Sequence, residues 1–411
     1  AMFGATFVFP VLMQLSPQLA VLMSGVATLL FLVLTSGRVP SYLGSSASFV
    51  GATATIYSLG GSAADVTGAL LVVGVALALV GVLLHFFGGR VIQRVLPPVV
   101  TGAVVMLIGF NLAPVVAQNY WPRDQWTALA VMLFVIVVTV AFRGFASRIA
   151  IFLAVLFGYL LSWLLDVLVG PVTYTDPTSG RSVTEARVDF GPVADAPWFG
   201  LPPATTGDVA GWHLPSFHVG FALVALPIVI ALVAENAGHL KAVAEMTGDD
   251  LDPLMGRAIG ADGVATVVAT SVGGSPTTTY AENIGVMAAT KVYSTAAYVV
   301  AALTAIGFGL SPKFGAVVNA IPGGVLGGIT VVLYGMIGLL GAKIWKENQV
   351  DFGDPVNLVP VAAGLVIAIG NVTLTFTDSF ELGGIALGTI VVIVGYHLSR
   401  ALAGRRSGYS V

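Results

Sequence analysis

Long apolar runs separated by short polar breaks fill most of the chain. A helix needs about 20 predominantly apolar residues to cross the hydrocarbon core of a bilayer, and the runs bounded by charged residues, Pro or Gly predict fourteen membrane spans. The predicted spans lie near 1–14, 18–37, 43–58, 66–88, 95–118, 126–143, 148–169, 217–240, 255–272, 276–290, 294–311, 318–340, 355–373 and 382–402.

The composition supports a helical membrane protein. Hydrophobic residues make up 57% of the 411 residues and charged residues only 9%, whereas about 25% of the residues of a soluble domain are charged. The 50 glycines fit membrane helices, where close backbone approach drives association. A membrane β-barrel would show segments of about ten residues that alternate apolar and polar positions. The long apolar runs therefore predict an all-α polytopic membrane protein.

The first apolar run, which ends at Met13, is too short to cross a bilayer on its own. We therefore expect the chain to begin partway through its first span, with an initiator Met and a cytoplasmic tail preceding it. The sequence contains no cysteine, so structural disulfides and thiolate metal sites are excluded. The net charge of −3 gives no reason to expect a nucleic-acid partner.

The basic residues predict the orientation of the chain. If the N-terminus is cytoplasmic, 13 Lys and Arg residues lie inside and 4 lie outside, as the positive-inside rule requires. Both termini are then cytoplasmic, in a cytoplasmic (inner) membrane. The inside set is Arg38, Arg90, Arg94, Arg143, Arg148, Lys241, Arg257, Lys291, Lys343, Lys346, Arg400, Arg405 and Arg406, and the outside set is Arg123, Arg181, Arg187 and Lys313.

One long polar stretch, 171–214, predicts an external loop with short β-like pieces at 172–174 and 182–190. Seven predicted spans precede this loop and seven follow it. An odd number of spans in each half inserts the second half upside down relative to the first, which is the inverted-repeat plan of many secondary transporters.

The two halves share an irregular third span. The runs 43–58 and 276–290 are short and rich in Ser, Thr and Gly, and they occupy corresponding positions in the two halves. Such interrupted segments indicate a binding site near the bilayer midplane, because non-helical backbone survives there only when it lines a cavity or is buried in protein. The alternative is that both runs are ordinary loops.

Three ionisable residues lie inside predicted spans, where lipid alone would not tolerate a charged side chain. Glu235 and His239 are four residues apart, so they share one helix face and can form a hydrogen bond, and Glu282 lies in the irregular run 276–290. An acidic group at the bilayer centre costs about 2.5–3.5 kcal/mol on insertion scales, so such residues usually serve a site or a pathway. The alternatives are a helix end at the cytoplasmic interface, for Glu235 and His239, and a capping carboxylate, for Glu282.

Two carboxylates and an imidazole suit a ligand that carries several N–H donors and C=O acceptors. A pyrimidine-2,4-dione offers two ring N–H groups to carboxylates and two carbonyls to backbone N–H groups, which Phe49 and Ala281 could supply. We expect Glu235 to exchange a coupled proton and His239 to stabilise its ionised form. The other histidines show no paired spacing typical of metal ligands, and no nucleotide-binding motif is present, which disfavours an ATP-driven pump.

A motif in the tenth predicted span resembles the signature of the nucleobase–ascorbate transporter family, also called nucleobase:cation symporters. The family pattern is Gln/Glu/Pro-Asn-x-Gly, then four residues, then Thr-Arg/Lys/Gly. The match here is Glu282-Asn283-Ile284-Gly285-Val286-Met287-Ala288-Ala289-Thr290-Lys291. Further segments look like the bacterial uracil permeases of that family, namely 1–6, 42–46, 234–240, 278–280 and 292–295.

The resemblance implies two inverted seven-span repeats, with short strands in spans 3 and 10 and the substrate between them. A core domain would comprise 1–93 and 217–312, and a gate domain would comprise 94–170 and 313–411, with the external loop at 171–216. The core would move against the gate like an elevator, in a homodimer joined through the gate domains. The transported base would be uracil and the coupling ion a proton, with no other cofactor.

The resemblance also implies roles for individual residues. Glu235 and Glu282 would bind the base, Phe49 and Ala281 would contribute backbone amides, and His239 would pair with Glu235 in proton coupling. Tyr280 and Tyr334 would line or close the pocket. The supporting residues would be Asn283, Ser46 and Thr279.

The chain departs from the uracil branch at two places. Ala281 stands where uracil permeases commonly have Gly, and Ala47-Ser48-Phe49 replaces a more aromatic stretch. A carrier of wider pyrimidine or xanthine specificity is therefore the nearest alternative. An anion transporter of the related sulfate-permease fold would carry a basic residue near span 10, where this chain has Glu282. No nucleophile–base pair or cluster of metal ligands in the sequence supports a membrane enzyme.

Overall fold

The computed structural model describes residues 3–88, 96–111, 113–175, 180–202, 205–206, 209–377 and 380–407. Ala1, Met2, Arg90 and Arg94, which contribute to the motifs and the charge pattern above, lie outside the described residues.

Helices dominate the described chain. The α-helices are α1 (Phe3–Leu12), α2 (Pro17–Leu34), α3 (Val50–Ser58), α4 (Ala63–Phe87), α5 (Pro98–Asn111), α6 (Ala113–Val115), α7 (Gln125–Ala141), α8 (Phe145–Arg148), α9 (Ala150–Leu168), α10 (Gly191–Asp195), α11 (Val219–Ala225), α12 (Ile228–Thr247), α13 (Met255–Thr270), α14 (Ala281–Thr290), α15 (Thr295–Gly309), α16 (Pro312–Asn319), α17 (Gly323–Glu347), α18 (Pro355–Ile369) and α19 (Gly384–Ser407). Short 3₁₀ turns occur at Ala47–Phe49, Trp121–Arg123 and Asp252–Leu254, and a π-helical turn at Val116–Tyr120.

Short strands form two-stranded antiparallel sheets. The strands are β1 (Leu43–Ser45), β2 (Val172–Thr175), β3 (Ser182–Glu185), β4 (Thr205–Thr206), β5 (Val209–Ala210), β6 (Thr277–Thr279), β7 (Thr373–Thr377) and β8 (Phe380–Gly383). β2 pairs with β3, β4 with β5 and β7 with β8, each with its neighbour in the chain, whereas β1 pairs with β6 across more than 230 residues.

Several helices are long and apolar enough to cross a membrane, so the chain is a multi-pass membrane protein. By length and composition, seven stretches of the described chain qualify, and an eighth if the bent pair α15–α16, which turns by 84°, counts as one span. The seven are Pro17–Leu34, Ala63–Phe87, Pro98–Arg123, Ala150–Leu168, Val219–Thr247, Gly323–Glu347 and Gly384–Gly404. The full count of fourteen and its inverted arrangement stay predictions.

The β1–β6 pair lies inside the protein. Its register places Leu43 opposite Thr279, Gly44 opposite Thr278 and Ser45 opposite Thr277, and all six residues are buried. β1 leads through a 3₁₀ turn into α3, and β6 leads into α14. The runs 43–58 and 276–290 are therefore each part strand and part helix, and they meet through their strands.

Gly44 is required at this crossing. A Cβ atom at Gly44 would collide with the ring and hydroxyl of Tyr280, which covers β1. The tyrosine hydroxyl donates to the carbonyl of Ser45 at 2.9 Å and lies 3.2 Å from the hydroxyl of Thr6 on α1. Tyr280 thereby joins β1, β6 and α1.

Glycines bring α4 and α13 into backbone contact. A Cβ atom at Gly263 would overlap the backbone nitrogen of Ala78, and one at Gly81 would overlap the backbone of Gly260. In a membrane, small residues at helix interfaces replace the hydrophobic drive that water would supply. The contact fixes α13 beside α4 along much of its length.

The polar loop 171–214, which is predicted to be external, is attached to the helices before it by an ion-pair cluster. Arg187 contacts Asp124 at the start of α7 (2.6 Å), Asp166 near the end of α9 (3.0 Å) and the carbonyl of Gly170 (2.8 Å). Burial alone would lower the pKa of Arg187, but hydrogen bonds to the two carboxylates raise it above its usual value. The predicted β-like pieces of the loop form β2 and β3, which pair as a hairpin.

Replacing Gly263 by Ala should destabilise the protein, because the added methyl group has no room between α13 and α4. We expect a loss of about 1–3 kcal/mol, the usual cost of overpacking, read as a lower melting temperature in detergent. The matched control is Gly307→Ala on α15, where nothing lies within 4 Å of an added Cβ atom and the better helix propensity of Ala should leave the melting temperature unchanged or raised. Equal melting temperatures for the two variants would contradict the packing account.

Candidate functional site

The candidate site lies where α12 passes the β1–β6 crossing. We use "crossing site" for β1, the 3₁₀ turn after it, β6, the first turn of α14 and the face of α12 from Glu235 to His239. Three separate parts of the chain contribute to it, and α12 packs against the 3₁₀ turn, β6 and α14.

Glu235 is connected to the first interrupted segment. The hydroxyl of Ser48 donates to Oε2 of Glu235 at 3.1 Å, although the two residues are 187 positions apart. The Ser48 amide in turn donates to the hydroxyl of Ser46 at 3.2 Å, and both serines are buried. Ser46 therefore shapes the turn that presents Ser48 to the half-buried carboxylate.

His239 is connected to the second interrupted segment. Its Nδ1 atom lies 2.8 Å from the hydroxyl of Thr279 on β6. This contact occupies one ring nitrogen and leaves Nε2 for any partner on the substrate side, including Glu235. The direct pairing of Glu235 with His239 stays a prediction.

A buried polar network lies behind His239. Asn236 donates to Oδ2 of Asp262 on α13 at 2.7 Å and accepts from the hydroxyl of Thr279 at 2.8 Å. The hydroxyl of Thr278 also donates to Asp262, at 3.2 Å. Asp262 is fully buried, so the network is closed off from water.

The sequence analysis overlooked Asp262, Asn236 and Ser48 as site residues. Asp262 carried a signal of the same kind as Glu235, since it is an acidic residue inside the apolar run 255–272. Asn236 and Ser48 stood in quoted motifs, but neither residue type is rare enough in membrane helices to mark a site without a known partner.

The second interrupted segment presents backbone donors at the start of α14. Tyr280 has extended backbone (φ −103°, ψ 122°) and precedes the helix, so the first amides of α14, including those of Ala281 and Glu282, have no partner within the helix. The side chains of Ala281 and Glu282 lie outside the described part of the chain, and Asn283 is buried. Because α12 contacts α14, Glu235 and Glu282 lie on helices that touch.

The first interrupted segment offers a weakly bonded amide. The Phe49 nitrogen lies 3.5 Å from the carbonyl oxygen of Ser46, at the limit of a hydrogen bond. Phe49 as a whole is completely buried in this conformation. A role for the Phe49 and Ala281 amides in binding stays a prediction.

The two predicted pocket tyrosines are both buried but occupy different surroundings. Tyr280 bonds within the crossing, as described above, whereas Tyr334 on α17 stacks on Phe9 of α1 with ring centroids 6.5 Å apart. Within the described residues the Tyr334 hydroxyl has no hydrogen-bond partner, which is unusual for a buried hydroxyl. Its position places it at a contact between the predicted core and gate domains.

A small cavity lies beside α3. It is bounded by residues of the predicted core, such as Gly51, Thr55 and Pro227, and of the predicted gate, such as Asn111 and Ile385. Gly51 follows Phe49 by two residues, so the cavity adjoins the crossing site along α3.

Comparison with known proteins identifies the family. The sequence model of a permease family, Xan_ur_permease, matches residues 1–377. The chain is 44% identical over 410 residues to the "Putative pyrimidine permease RutG" of Escherichia coli K12, covering 98% of this chain and 88% of that protein. It is 34% identical to the uracil permease of Paenibacillus larvae (96% of this chain, 90% of that protein) and 34% identical to the uracil permease of Escherichia coli K12 (96% and 87%).

The fold also resembles a solved transporter. The transmembrane domain of a cyanobacterial bicarbonate transporter, BicA, superposes with a TM-score of 0.56 at 13% identity, covering 96% of this chain and 97% of that domain. At this identity the likeness concerns the fold alone. Since the family match spans most of the chain and its members are permeases rather than enzymes, this multi-pass protein of the cell membrane belongs to the nucleobase–ascorbate transporter family of permeases.

Proposed function

We propose that this protein is a uracil symporter that uses an inward proton gradient to drive nucleobase uptake. The observation that carries the proposal is the contact between Ser48 and Glu235. It places an acidic side chain of α12 against the turn between β1 and α3, inside a protein whose family consists of permeases.

The chemistry of the crossing site suits a planar base with donors and acceptors along its edges. Glu235 would supply an acceptor for a ring N–H, and the first amides of α14, which have no partner within that helix, would supply donors for a carbonyl. Glu282, one residue into the same helix, would accept from the second ring N–H. A pyrimidine-2,4-dione satisfies all of these groups at once, which matters because a buried polar group left unpaired costs about 1–3 kcal/mol.

Coupling to protons would use Glu235 and His239. Both residues lie on one face of α12, at the boundary between the apolar spans and the crossing site. A proton on Glu235 would neutralise the carboxylate while the loaded site moves through the membrane, and loss of that proton inside would release the base. Cotransport then follows from the electrostatic cost of moving a buried charge.

The proposed movement is an elevator in which a core (1–93 and 217–312) slides against a gate (94–170 and 313–411), built from fourteen spans in two inverted repeats. The fold likeness to the bicarbonate transporter domain supports a shared scaffold. The cavity lined from both domains and the Phe9–Tyr334 contact mark the boundary along which they would slide. A homodimer joined through the gate would hold that domain still.

A carrier of broader pyrimidine or xanthine specificity is the second candidate. The identity of 44% with a protein named as a pyrimidine permease exceeds the 34% with uracil permeases. Ala281, in the first turn of α14, departs from the Gly that is common in uracil permeases, and a change there would reshape the pocket.

Purified protein in liposomes should accumulate labelled uracil when the outside is more acidic than the inside, and should only equilibrate it without a gradient. Glu235→Gln should abolish the proton-driven component, because an amide cannot exchange the proton. The control is Glu245→Gln, an exposed carboxylate on the same helix, which should accumulate uracil like the parent protein. Gradient-driven accumulation by Glu235→Gln would refute the assignment of the coupling residue.

Ser48→Ala should weaken substrate binding. The loss of a hydrogen bond that orients a charged group corresponds to about 1–1.5 kcal/mol, or a rise in KM of about five- to tenfold. Ser58→Ala, at the exposed end of α3, removes a hydroxyl remote from Glu235 and should leave KM unchanged. An unaltered KM in Ser48→Ala would show that Ser48 does not contribute to substrate binding.

Competition separates the two candidate substrate ranges. If the protein is a uracil symporter, a 100-fold excess of unlabelled uracil should abolish uptake of the label, whereas the same excess of xanthine should leave it nearly unchanged. Strong inhibition by xanthine or by thymine would instead support the broader carrier.

A further inference from the structure

A chain of short, buried hydrogen bonds leads from α13 to His239. It runs from Oδ2 of Asp262 to Asn236 (2.7 Å), from Asn236 to the hydroxyl of Thr279 (2.8 Å) and from that hydroxyl to Nδ1 of His239 (2.8 Å). Asp262, Asn236 and Thr279 are at most 5% exposed. The donor and acceptor capacities of these groups fix the direction of every bond in the chain.

The first step fixes the orientation of the Asn236 amide. Its Nδ2 group lies 2.7 Å from Oδ2 of Asp262 and 2.9 Å from the carbonyl oxygen of Leu232, which both act as acceptors, and 3.4 Å from the hydroxyl of Thr278. A flipped amide would place its oxygen against the Asp262 and Leu232 oxygens. Asn236 must therefore donate to Asp262 and turn its oxygen, Oδ1, toward Thr279.

The second step fixes the Thr279 hydroxyl. An amide oxygen can only accept, so the single hydroxyl hydrogen of Thr279 is donated to Oδ1 of Asn236. The hydroxyl oxygen has no second hydrogen for His239. The Nδ1 atom of His239 must then be the donor, at 2.8 Å.

We propose that Asp262, Asn236 and Thr279 are positioning residues that hold neutral His239 in its Nδ1–H tautomer, with Nε2 as the atom that gains and loses the proton. The proposal rests on the proposed proton coupling for its functional meaning. The tautomer itself follows from the hydrogen bonds alone.

The hydrogen-bond chain is anchored in the central strand pair and in a closely packed helix. Thr279 is the residue of β6 that pairs with Leu43 of β1, so the imidazole is held by the same strand that holds the crossing together. Asp262 sits on α13, which packs closely on α4. The His239 ring is thus held in a fixed orientation by bonds to β6 and, through Asn236, to α13, as a proton-transferring group requires.

The two oxygens of Asp262 differ in their bonding. Its Oδ1 atom is buried without a hydrogen-bond partner within the described residues, and a buried carboxyl group with an unpaired oxygen is costly. The function proposed for Asp262 depends only on Oδ2, which is the terminal acceptor of the hydrogen-bond chain.

The direct test is the tautomer of His239 in the unaltered protein. Protein labelled with 15N in its histidine rings is placed in lipid nanodiscs at alkaline pH, and the His239 signals are identified by their loss in His239→Gln. We expect Nδ1 to show the chemical shift of a protonated ring nitrogen and Nε2 that of an unprotonated one. The opposite assignment would overturn the proposal without reference to transport.

Matched variants separate positioning from general stability. Thr279→Val removes the hydroxyl that links Asn236 to His239 with little change in shape, and Thr279→Ser restores it. Thr270→Val is the control, because the buried Thr270 hydroxyl donates within α13 to the carbonyl of Thr266 at 2.8 Å and lies outside the crossing site. Thr279→Val should shift the ring to a mixture of tautomers and lower the kcat of gradient-driven uracil uptake about tenfold, with KM within threefold.

Thr279→Ser and Thr270→Val should keep both the parent spectrum and the parent kcat. If Thr279→Val retains the parent spectrum, or if Thr270→Val alters the spectrum and kcat as strongly as Thr279→Val does, the hydrogen-bond chain is merely structural and the proposal fails. If the spectra behave as expected while no variant, nor the parent, shows gradient-driven uptake, the tautomer assignment stands and the proposed coupling function fails.

Discussion

The structure depends on satisfying backbone hydrogen bonds where no water can do so. A chain that stops being helical inside a membrane exposes amides and carbonyls, each of which costs several kcal/mol if left unpaired in hydrocarbon. Here two interrupted segments solve the problem for each other, because β1 and β6 pair their backbones in the protein interior. The pairing also brings together the starts of α3 and α14, which follow the two strands in the chain. The proposed backbone donors of the site would then follow from the way the interruption is stabilised.

The side chains around the crossing extend the same principle. Ser48, Thr278, Thr279 and Tyr280 each use a hydroxyl to connect a strand or turn to a neighbouring helix. α12 receives two of these connections, one from each interrupted segment, through Glu235 and His239. The helix that carries these ionisable residues is therefore bonded to both halves of the chain.

The membrane helices and the two interrupted segments could be predicted from the sequence, each for a different physical reason. Long apolar runs reveal membrane helices because length alone decides whether a helix can cross, and the Ser, Thr and Gly of 43–58 and 276–290 reveal their interruption. The partners of His239 and Asp262 were beyond reach, since they depend on which residues of α13 and β6 face α12. The 187-residue contact from Ser48 to Glu235 likewise requires the tertiary fold. Asp262 could have been flagged by the rule that selected Glu235, but nothing in the sequence distinguishes a network carboxyl from a ligand-binding one.

The long external loop is attached at both ends to different parts of the protein. Arg187 fastens its beginning to α7 and α9, whereas its end is fastened by backbone bonds from Ser16 to Ala210 and from Ser216 to Ala64, next to α2 and α4. Between these attachments, the amide of Lys313 donates to the carbonyl of Pro197 and the amide of Gly200 donates to the carbonyl of Leu310, which attaches the loop to the turn between α15 and α16 as well. If groups of helices slide past one another during transport, this single loop would have to bend, or give up some of these bonds, at every cycle.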